Sequence, residues 1–561
     1  MALRAWPCHR TGRGDGGAPM SGAGETAIEA LVAAAEPTAP KPLGDLLARL
    51  ERAGLLLDAG AADGAGEAAA GVITGVTEDS RRAGGGQLFV AVPGFHVDGH
   101  GFVGAAGLAG AAAALVEHRV DGAALPQIVV RDARAALAEA ACWWYGDPSR
   151  DLGVIGITGT DGKTTTSFLA AAALEAAGLG AGLIGTVETR VGGIRERHAA
   201  HVTTPGAPEL QATLRAMANS GDQVAVLETT SHALELGRVA GIAYDAAVLT
   251  NLTHEHLELH GTFDRYREAK VRLFAMLGGA DKNAGGRRWP KVAVINLDDA
   301  AAPWFARAAE AVGARVVGYG VAADAAVRPT AVQEDAQRLR IAYDAPSGRG
   351  SVSLRLAGRF NVHNALAVVA LGDGLGLDPA AVRAGLEALA GVPGRMERID
   401  AGQPFGVIVD YAHSPASLQT VLDLLAPVAA ASGGSLVAVF GSAGERDTAK
   451  RVVMGRIAGE RCRLVIAADE DPRGEDGAAI VAEIVAGAVA AGKTSGKDVF
   501  GIPDRRTAIA EAFAQAQPGD IVLLAGKGHE ASILYADAAL PWNEASVARE
   551  ALAALGWPSG G

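Results

Sequence analysis

The chain is poor in cysteine and aromatic residues, carries no excess of basic charge and has no long apolar run. Its three cysteines, Cys8, Cys142 and Cys462, show no Cys-x-x-Cys spacing across 561 residues. That excludes a disulfide framework and a zinc ribbon, and reads as buried or free thiols of a reducing compartment, the cytoplasm. A net charge of −13 argues against a general nucleic-acid or anionic-membrane binder, because both need a basic surface. The most apolar stretches, 103–116 and 478–491, are too short to span lipid, and Glu483 interrupts the second. Residues 1–42 contain Arg4, Arg10 and Arg13 but no apolar core of a secretory signal. They read as a flexible, low-complexity extension, with Met20 as an alternative start.

What is present is globular. Hydrophobic residues make up 49 % and glycines number 75, a composition suited to close helix–sheet packing. The length exceeds one hydrophobic core. Apolar runs at 88–92 and 127–130 alternate with Ala-rich helical stretches, predicting an α/β domain over 43–148. The buried-strand run 152–157 opens a second, over 149–392, with further strands at 224–227, 246–249 and 292–295. After the break Val392-Pro393-Gly394, strands at 407–409, 436–440, 464–467 and 521–524 predict a third α/β domain over 393–561. The middle domain should be a doubly wound sheet. The Gly- and Arg-rich segment 281–290 reads as a surface loop.

The sharpest motif is Thr158-Gly159-Thr160-Asp161-Gly162-Lys163-Thr164-Thr165, between a buried strand and a helix predicted to stop at Gly178. Glycines there let backbone amides turn toward phosphate oxygens, the helix N-terminus adds partial positive charge, Lys163 neutralises β/γ-phosphates and Thr164 can hold Mg²⁺. Ile157 stands where a standard P-loop has its first glycine, so this is a shortened variant.

That shortened loop resembles the ATP loop of the Mur ligases and of the related folylpolyglutamate synthases. Thr203-Thr204-Pro205 and Glu228-Thr229-Thr230-Ser231-His232-Ala233-Leu234 are similar to signatures of the UDP-N-acetylmuramoyl-tripeptide synthetases, the MurE type. So are Asn361-Val362-His363-Asn364-Ala365, Asp410-Tyr411-Ala412-His413-Ser414-Pro415 and Gly526-Lys527-Gly528-His529-Glu530, and at the front Asp79-Ser80-Arg81. The resemblance implies three α/β domains: a UDP-binding domain, a central P-loop ATPase domain and a Rossmann-like C-terminal domain that takes the amino acid.

It implies further that Thr164 and Glu228 hold one Mg²⁺, and that His256 and a carbamylated Lys270 (an N6-carboxylysine) serve a second. Read from residue type alone, Lys270 is an exposed helix lysine. Oxygen ligands suit Mg²⁺, and adding CO₂ to a neutral amine turns a repelled cation into a ligand. The family's paired aspartates around this histidine are Glu255 and Glu258 here. His254 and His260 read as surface residues.

By the same resemblance ATP meets Gly159 to Thr165, Asn364, Arg395 and Asp410, the last at the ribose. The UDP-linked peptide meets Ser80, Thr203, Thr204, Thr230 and Arg238. The incoming amino acid meets Arg446, Glu470, Asp471, Pro472, Arg473, Gly526 and Glu530. The implied reaction phosphorylates a D-glutamyl carboxylate and lets an amine displace phosphate, with Lys163, His256, Lys270 and Arg395 as catalytic groups. Arg473 favours meso-2,6-diaminopimelate over lysine or ornithine, since a guanidinium pairs well with a distal carboxylate. Asp471, in place of the family's Asn, could instead pair with Arg473 or attract a lysine or ornithine ammonium. The expected partners are small molecules, without nucleic acid or membrane insertion, and the protein is expected to be a monomer.

Overall fold

The computed structural model describes residues 26–59, 71–94, 97–197, 202–253, 257–334, 338–356 and 358–557. Cys8, Met20, the Phe95-His96 pair, and His254, Glu255 and His256 lie outside them. Among the described residues three main sheets each draw on their own stretch of chain. The first has the order 56–58, 127–130, 113–116, 88–90, 76–77, all parallel except the 56–58 edge.

The second sheet runs in the order 194–197, 188–191, 181–184, 224–228, 153–158, 246–249, 292–296, 315–319. From 181–184 to 315–319 every pairing is parallel. Gly153–Thr158 is the first strand and lies in the middle, so the chain winds to either side of it. Such a switch point leaves a crevice at the strands' carboxyl ends, where ligands bind in open α/β sheets. Leu169, Leu366, Val226 and Ile155 pack one face of this sheet, and Leu214, Tyr244 and Phe274 the other. The antiparallel ribbon 328–334, 339–345, 348–354 closes the first face.

The third sheet has the order 397–399, 406–410, 521–525, 436–440, 464–467, 499–501. All but its first pairing are parallel, so Asp410, Gly526 and the segment 469–471 gather beyond its carboxyl ends. No helix among the described residues is long and apolar enough to cross a membrane.

Three expectations need correction. Within the extension read as flexible over 1–42, the described residues 26–42 are structured. Ala27–Ala34 is a helix with a capping box from Thr26 and Glu29, and Ile28 and Ala35 enter the core of the central sheet. Glu36 then accepts hydrogen bonds from Trp144 Nε1 at 2.8 Å and Tyr145 OH at 2.5 Å. The segment read as a surface loop is a hairpin, 282–284 with 287–289, whose Trp289 is fully buried. Trp289 lies across Gly153, where a Cβ would come within 2.3 Å of the indole. Third, His260 is buried, with its ring 5.4 Å from Tyr266 and 6.0 Å from His232.

Candidate active site

The phosphate loop joins the central strand to the helix Lys163–Ala176. Two glycines make the turn possible. Gly159 has φ 150° and Gly162 φ 80°, and a Cβ at either would collide, with Thr250 Oγ1 at 1.8 Å and Asn364 Oδ1 at 2.6 Å. Asn251 tethers the loop, accepting from Thr160 N through its carbonyl and from Asp161 N through its side chain. Thr160 Oγ1 meets Tyr266 OH at 3.0 Å. No side chain caps the helix at Gly162. Its first amides are therefore available to an anion, as expected of a phosphate site.

Lys163 folds back onto the loop, donating to Gly159 O at 3.0 Å and Thr160 O at 2.7 Å. Lys270, expected from residue type alone to be exposed, is 1 % exposed and donates to the same Gly159 carbonyl at 2.7 Å. Its ammonium lies 4.8 Å from the Tyr266 ring centroid. The helix Phe263–Ala275 carries both residues four positions apart, which places them on one face.

Glu228 ends the neighbouring strand and is fully buried. Its Oε2 accepts from Thr164 Oγ1 at 3.0 Å and Thr186 Oγ1 at 2.8 Å, and its Oε1 from Thr186 N at 2.9 Å. Thr186, not singled out from the sequence, also meets Thr203 Oγ1 at 3.1 Å. Thr204 Oγ1 donates to Glu228 O and lies 3.3 Å from Thr230 Oγ1, and Arg238 Nη1 donates to Thr204 O at 2.9 Å. The candidate phosphate, metal and peptide residues thus form one connected network. Thr165 is buried in the first helical turn, and Asn364 contacts the same helix through Thr166.

The donor set suits Mg²⁺: a buried carboxylate and threonine hydroxyls supply only hard oxygens. Among the described residues no group of three or more His, Cys, Asp or Glu could hold a metal. His256 lies outside them, so the second metal position has only Lys270 on view. Ser80 sits half-buried in a turn of the first sheet's domain. Glu78, two residues before it, lies 3.3 Å from where a Cβ on Gly206 would be.

A second cluster occupies the carboxyl end of the third sheet. Asp471 and Arg473, expected as a possible pair, are not one. Asp471 Oδ1 accepts from Lys527 Nζ at 2.7 Å and Leu534 N at 2.9 Å. Arg473 has φ 56° and donates its amide to Leu534 O. Lys527 Nζ also meets Glu530 Oε2 at 2.5 Å, and Tyr411 OH meets Glu530 Oε1 at 3.3 Å. Glu470 is buried against Gly526, and burial pushes its carboxyl above the usual range despite nearby Lys450, His413, Lys527 and Arg505. Pro472 packs its carbonyl against Gly444, while Arg446 is exposed.

Arg395 stacks 4.7 Å over Tyr411 and, among the described residues, makes no hydrogen bond to the phosphate loop. Asp410, expected at a ribose, spends its carboxylate on backbone amides: Met396 N on Oδ2 and Ala412 N on Oδ1, both at 2.8 Å. Burial raises its pKa.

Known proteins match this chain over most of its length. A family model for the Mur ligase family catalytic domain matches residues 72–145, one for the Mur ligase middle domain 157–372, and one for the Mur ligase glutamate ligase domain 394–528. The chain is 49 % identical over 489 residues to a UDP-N-acetylmuramyl-tripeptide synthetase of Roseiflexus sp. (strain RS-1), covering 86 % of this chain and 95 % of the relative. It is 41 % identical over 473 residues to a UDP-N-acetylmuramoyl-L-alanyl-D-glutamate--2,6-diaminopimelate ligase of Geobacter metallireducens, covering 82 % and 90 %. A solved structure of a ligase of that second name aligns with TM-score 0.61 at 32 % identity, over 86 % of this chain and 95 % of that one.

Proposed function

This chain belongs to the Mur ligase family, and from that premise we propose that it joins meso-2,6-diaminopimelate to UDP-N-acetylmuramoyl-L-alanyl-D-glutamate at the cost of ATP, in cytoplasmic synthesis of peptidoglycan precursors. The observation that carries the reading is the convergence of Lys163, Thr164, Glu228 and Lys270 on one phosphate loop. The matching residues 72–145 support a UDP-binding domain over 43–148, ahead of an ATPase domain over 149–392 and an amino-acid domain over 393–561.

The chemistry needs an activated carboxylate. An oxygen of the D-glutamyl carboxylate attacks the γ-phosphorus of ATP, the P–O bond to ADP breaks, and an acyl phosphate forms. The neutral amine of the incoming amino acid attacks the acyl carbon. Phosphate leaves with the C–O bond's electrons, and the nitrogen gives up a proton. No protein nucleophile is required, so catalysis rests on positioning and charge.

Loop amides and Lys163 hold the β- and γ-phosphates, Asn364 and Asp410 lie toward the nucleoside, and Arg395 approaches the transferring group. Thr203, Thr204, Thr230 and Arg238 orient the peptide, with Ser80 at the uridine end. Thr164 and Glu228 would hold one Mg²⁺, and His256 with carbamylated Lys270 the other; these ions would neutralise phosphate charge. Arg473 and Glu530 receive the distal carboxylate and ammonium of diaminopimelate, beside Glu470, Asp471, Pro472 and Gly526, with Arg446 at the rim.

The test is to incubate the protein with ATP, Mg²⁺, the UDP-dipeptide and diaminopimelate, lysine or ornithine in turn, and to weigh the nucleotide product. A mass gain of one diaminopimelyl residue is expected. Faster addition of lysine or ornithine would overturn the choice of amino acid, and no amino-acid-dependent product at all would overturn the ligase.

A further inference from the structure

Lys527 is a buried cation that the phosphate chemistry does not use. Its side chain is fully buried, with the ammonium 2.7 Å from Asp471 Oδ1 and 2.5 Å from Glu530 Oε2. Burying an ammonium costs several kcal/mol unless it is paired, and Lys527 is paired twice. Two carboxylates and one ammonium leave a single net negative charge beside Arg473, which follows Asp471 by two residues and shares Leu534 with it.

Arg473 adds a positive charge from the same segment, and further ionisable groups lie nearby. Burial raises the pKa of Glu470 and of Asp469, and Arg505 is closed by Glu544 at 2.7 Å. Lys450 and His413 face Glu470, with Lys450 Nζ bonded to His413 O. Without the Lys527 ammonium the same pocket would be one charge more negative, which suits a bare ammonium better than a ligand end carrying both an ammonium and a carboxylate.

We infer that Lys527 is a specificity-determining residue: by neutralising one of the paired acids Asp471 and Glu530, it makes the pocket select an amino–carboxyl terminus over a terminal amine. This rests on the amino-acid-binding reading of the C-terminal cluster.

The test compares kcat/KM for meso-diaminopimelate and L-lysine, with ATP, Mg²⁺ and the UDP-dipeptide, in four full-length proteins. A merely structural role for Lys527 would slow both amino acids alike, so the ratio is the readout. Lys527→Met should move the ratio toward lysine by about tenfold or more, the scale on which close charge pairs discriminate. The double variant Asp471→Asn/Lys527→Met should bring it back toward the wild type. Should Lys527→Met not fold, Asp471→Asn decides: it removes one negative charge and should move the ratio further toward diaminopimelate. An unchanged ratio in folded Lys527→Met, or in Asp471→Asn when that variant alone is folded, overturns the inference. A wild type that adds neither amino acid overturns the ligase reading instead, so the two failures are distinguishable.

Discussion

Glu228 is the residue on which the central network turns. It accepts one backbone amide and two hydroxyls in the interior. Glu228→Ala should therefore cost about 1–3 kcal/mol of stability through the stranded Thr186 amide, and lower phosphate release by about 10²–10³. Glu228→Gln keeps an acceptor for that amide, so it should recover most of the stability and little of the activity. Thermal denaturation alongside a phosphate-release assay separates the two effects. The sequence made Glu228 legible through its flanking Thr-Thr-Ser-His. Thr186 was not, because one hydroxyl after Ile184-Gly185 has no signature until the fold carries it across to the next strand. Glu470 yields a prediction of pH dependence. Burial raises its folded-state pKa, so its contribution to stability is full below the unfolded carboxylate pKa and is lost as pH rises through the folded one. Glu470→Gln should accordingly raise Tm at pH 8 and leave it nearly unchanged at pH 4; an equal shift at both pH values would contradict this.

At the scale of elements, the two misread segments failed for the same reason. Glycine, arginine and alanine content stood in for position. Segment 281–290 has the composition of a loop, yet Trp289 fills the hollow that Gly153 leaves at the start of the central strand, and its Nε1 donates to Ala284 O at 3.0 Å. Replacing Trp289 by Ala should cost about 3–5 kcal/mol. Gly153→Ala should cost about 1–3 kcal/mol by overpacking, with no direct effect on the distant phosphate loop. Denaturant titration with activity measured on the folded fraction would show both. The helix Ala27–Ala34 was hidden in the same way by low-complexity neighbours. Glu36 ties the segment after it to Trp144 and Tyr145 of the first domain, while Ile28 N bonds Glu196 of the central sheet. Strands were far more legible, because buried parallel strands write themselves as continuous apolar runs: 436–440 and 464–467 agree to the residue with the observed bounds.

At the scale of the whole molecule, the question is how the ATP side learns that the amino acid has arrived. Arg395 belongs mechanically to the C-terminal domain. Asp410 holds Met396 N, Glu397 Oε2 accepts from Gly394 N, and Gly394 lies so close to Gly528 and His529 that a Cβ would come within 2.1 Å of His529 N. Met396 adopts φ 49°, a left-handed conformation that a non-glycine residue keeps only where its surroundings hold it. From Arg395 a continuous set of contacts runs through the Tyr411 ring to Glu530, Lys527 and Asp471. None of this was readable from spacing, since Arg395, Tyr411 and Glu530 are far apart in sequence and meet only beyond one sheet's edge. If this chain of contacts transmits occupancy, Tyr411→Ala should break it while leaving the Lys527 ammonium on both of its carboxylates. The apparent affinity for ATP should then cease to depend on the diamino acid, and kcat should fall by about tenfold or more as Arg395 loses its platform. Tyr411→Phe keeps the ring and loses only the 3.3 Å bond to Glu530, so its effect should be several-fold smaller. Matching losses in the two variants would assign the coupling to the hydroxyl, and an ATP affinity that still responds to diaminopimelate in Tyr411→Ala would remove Tyr411 from the route altogether.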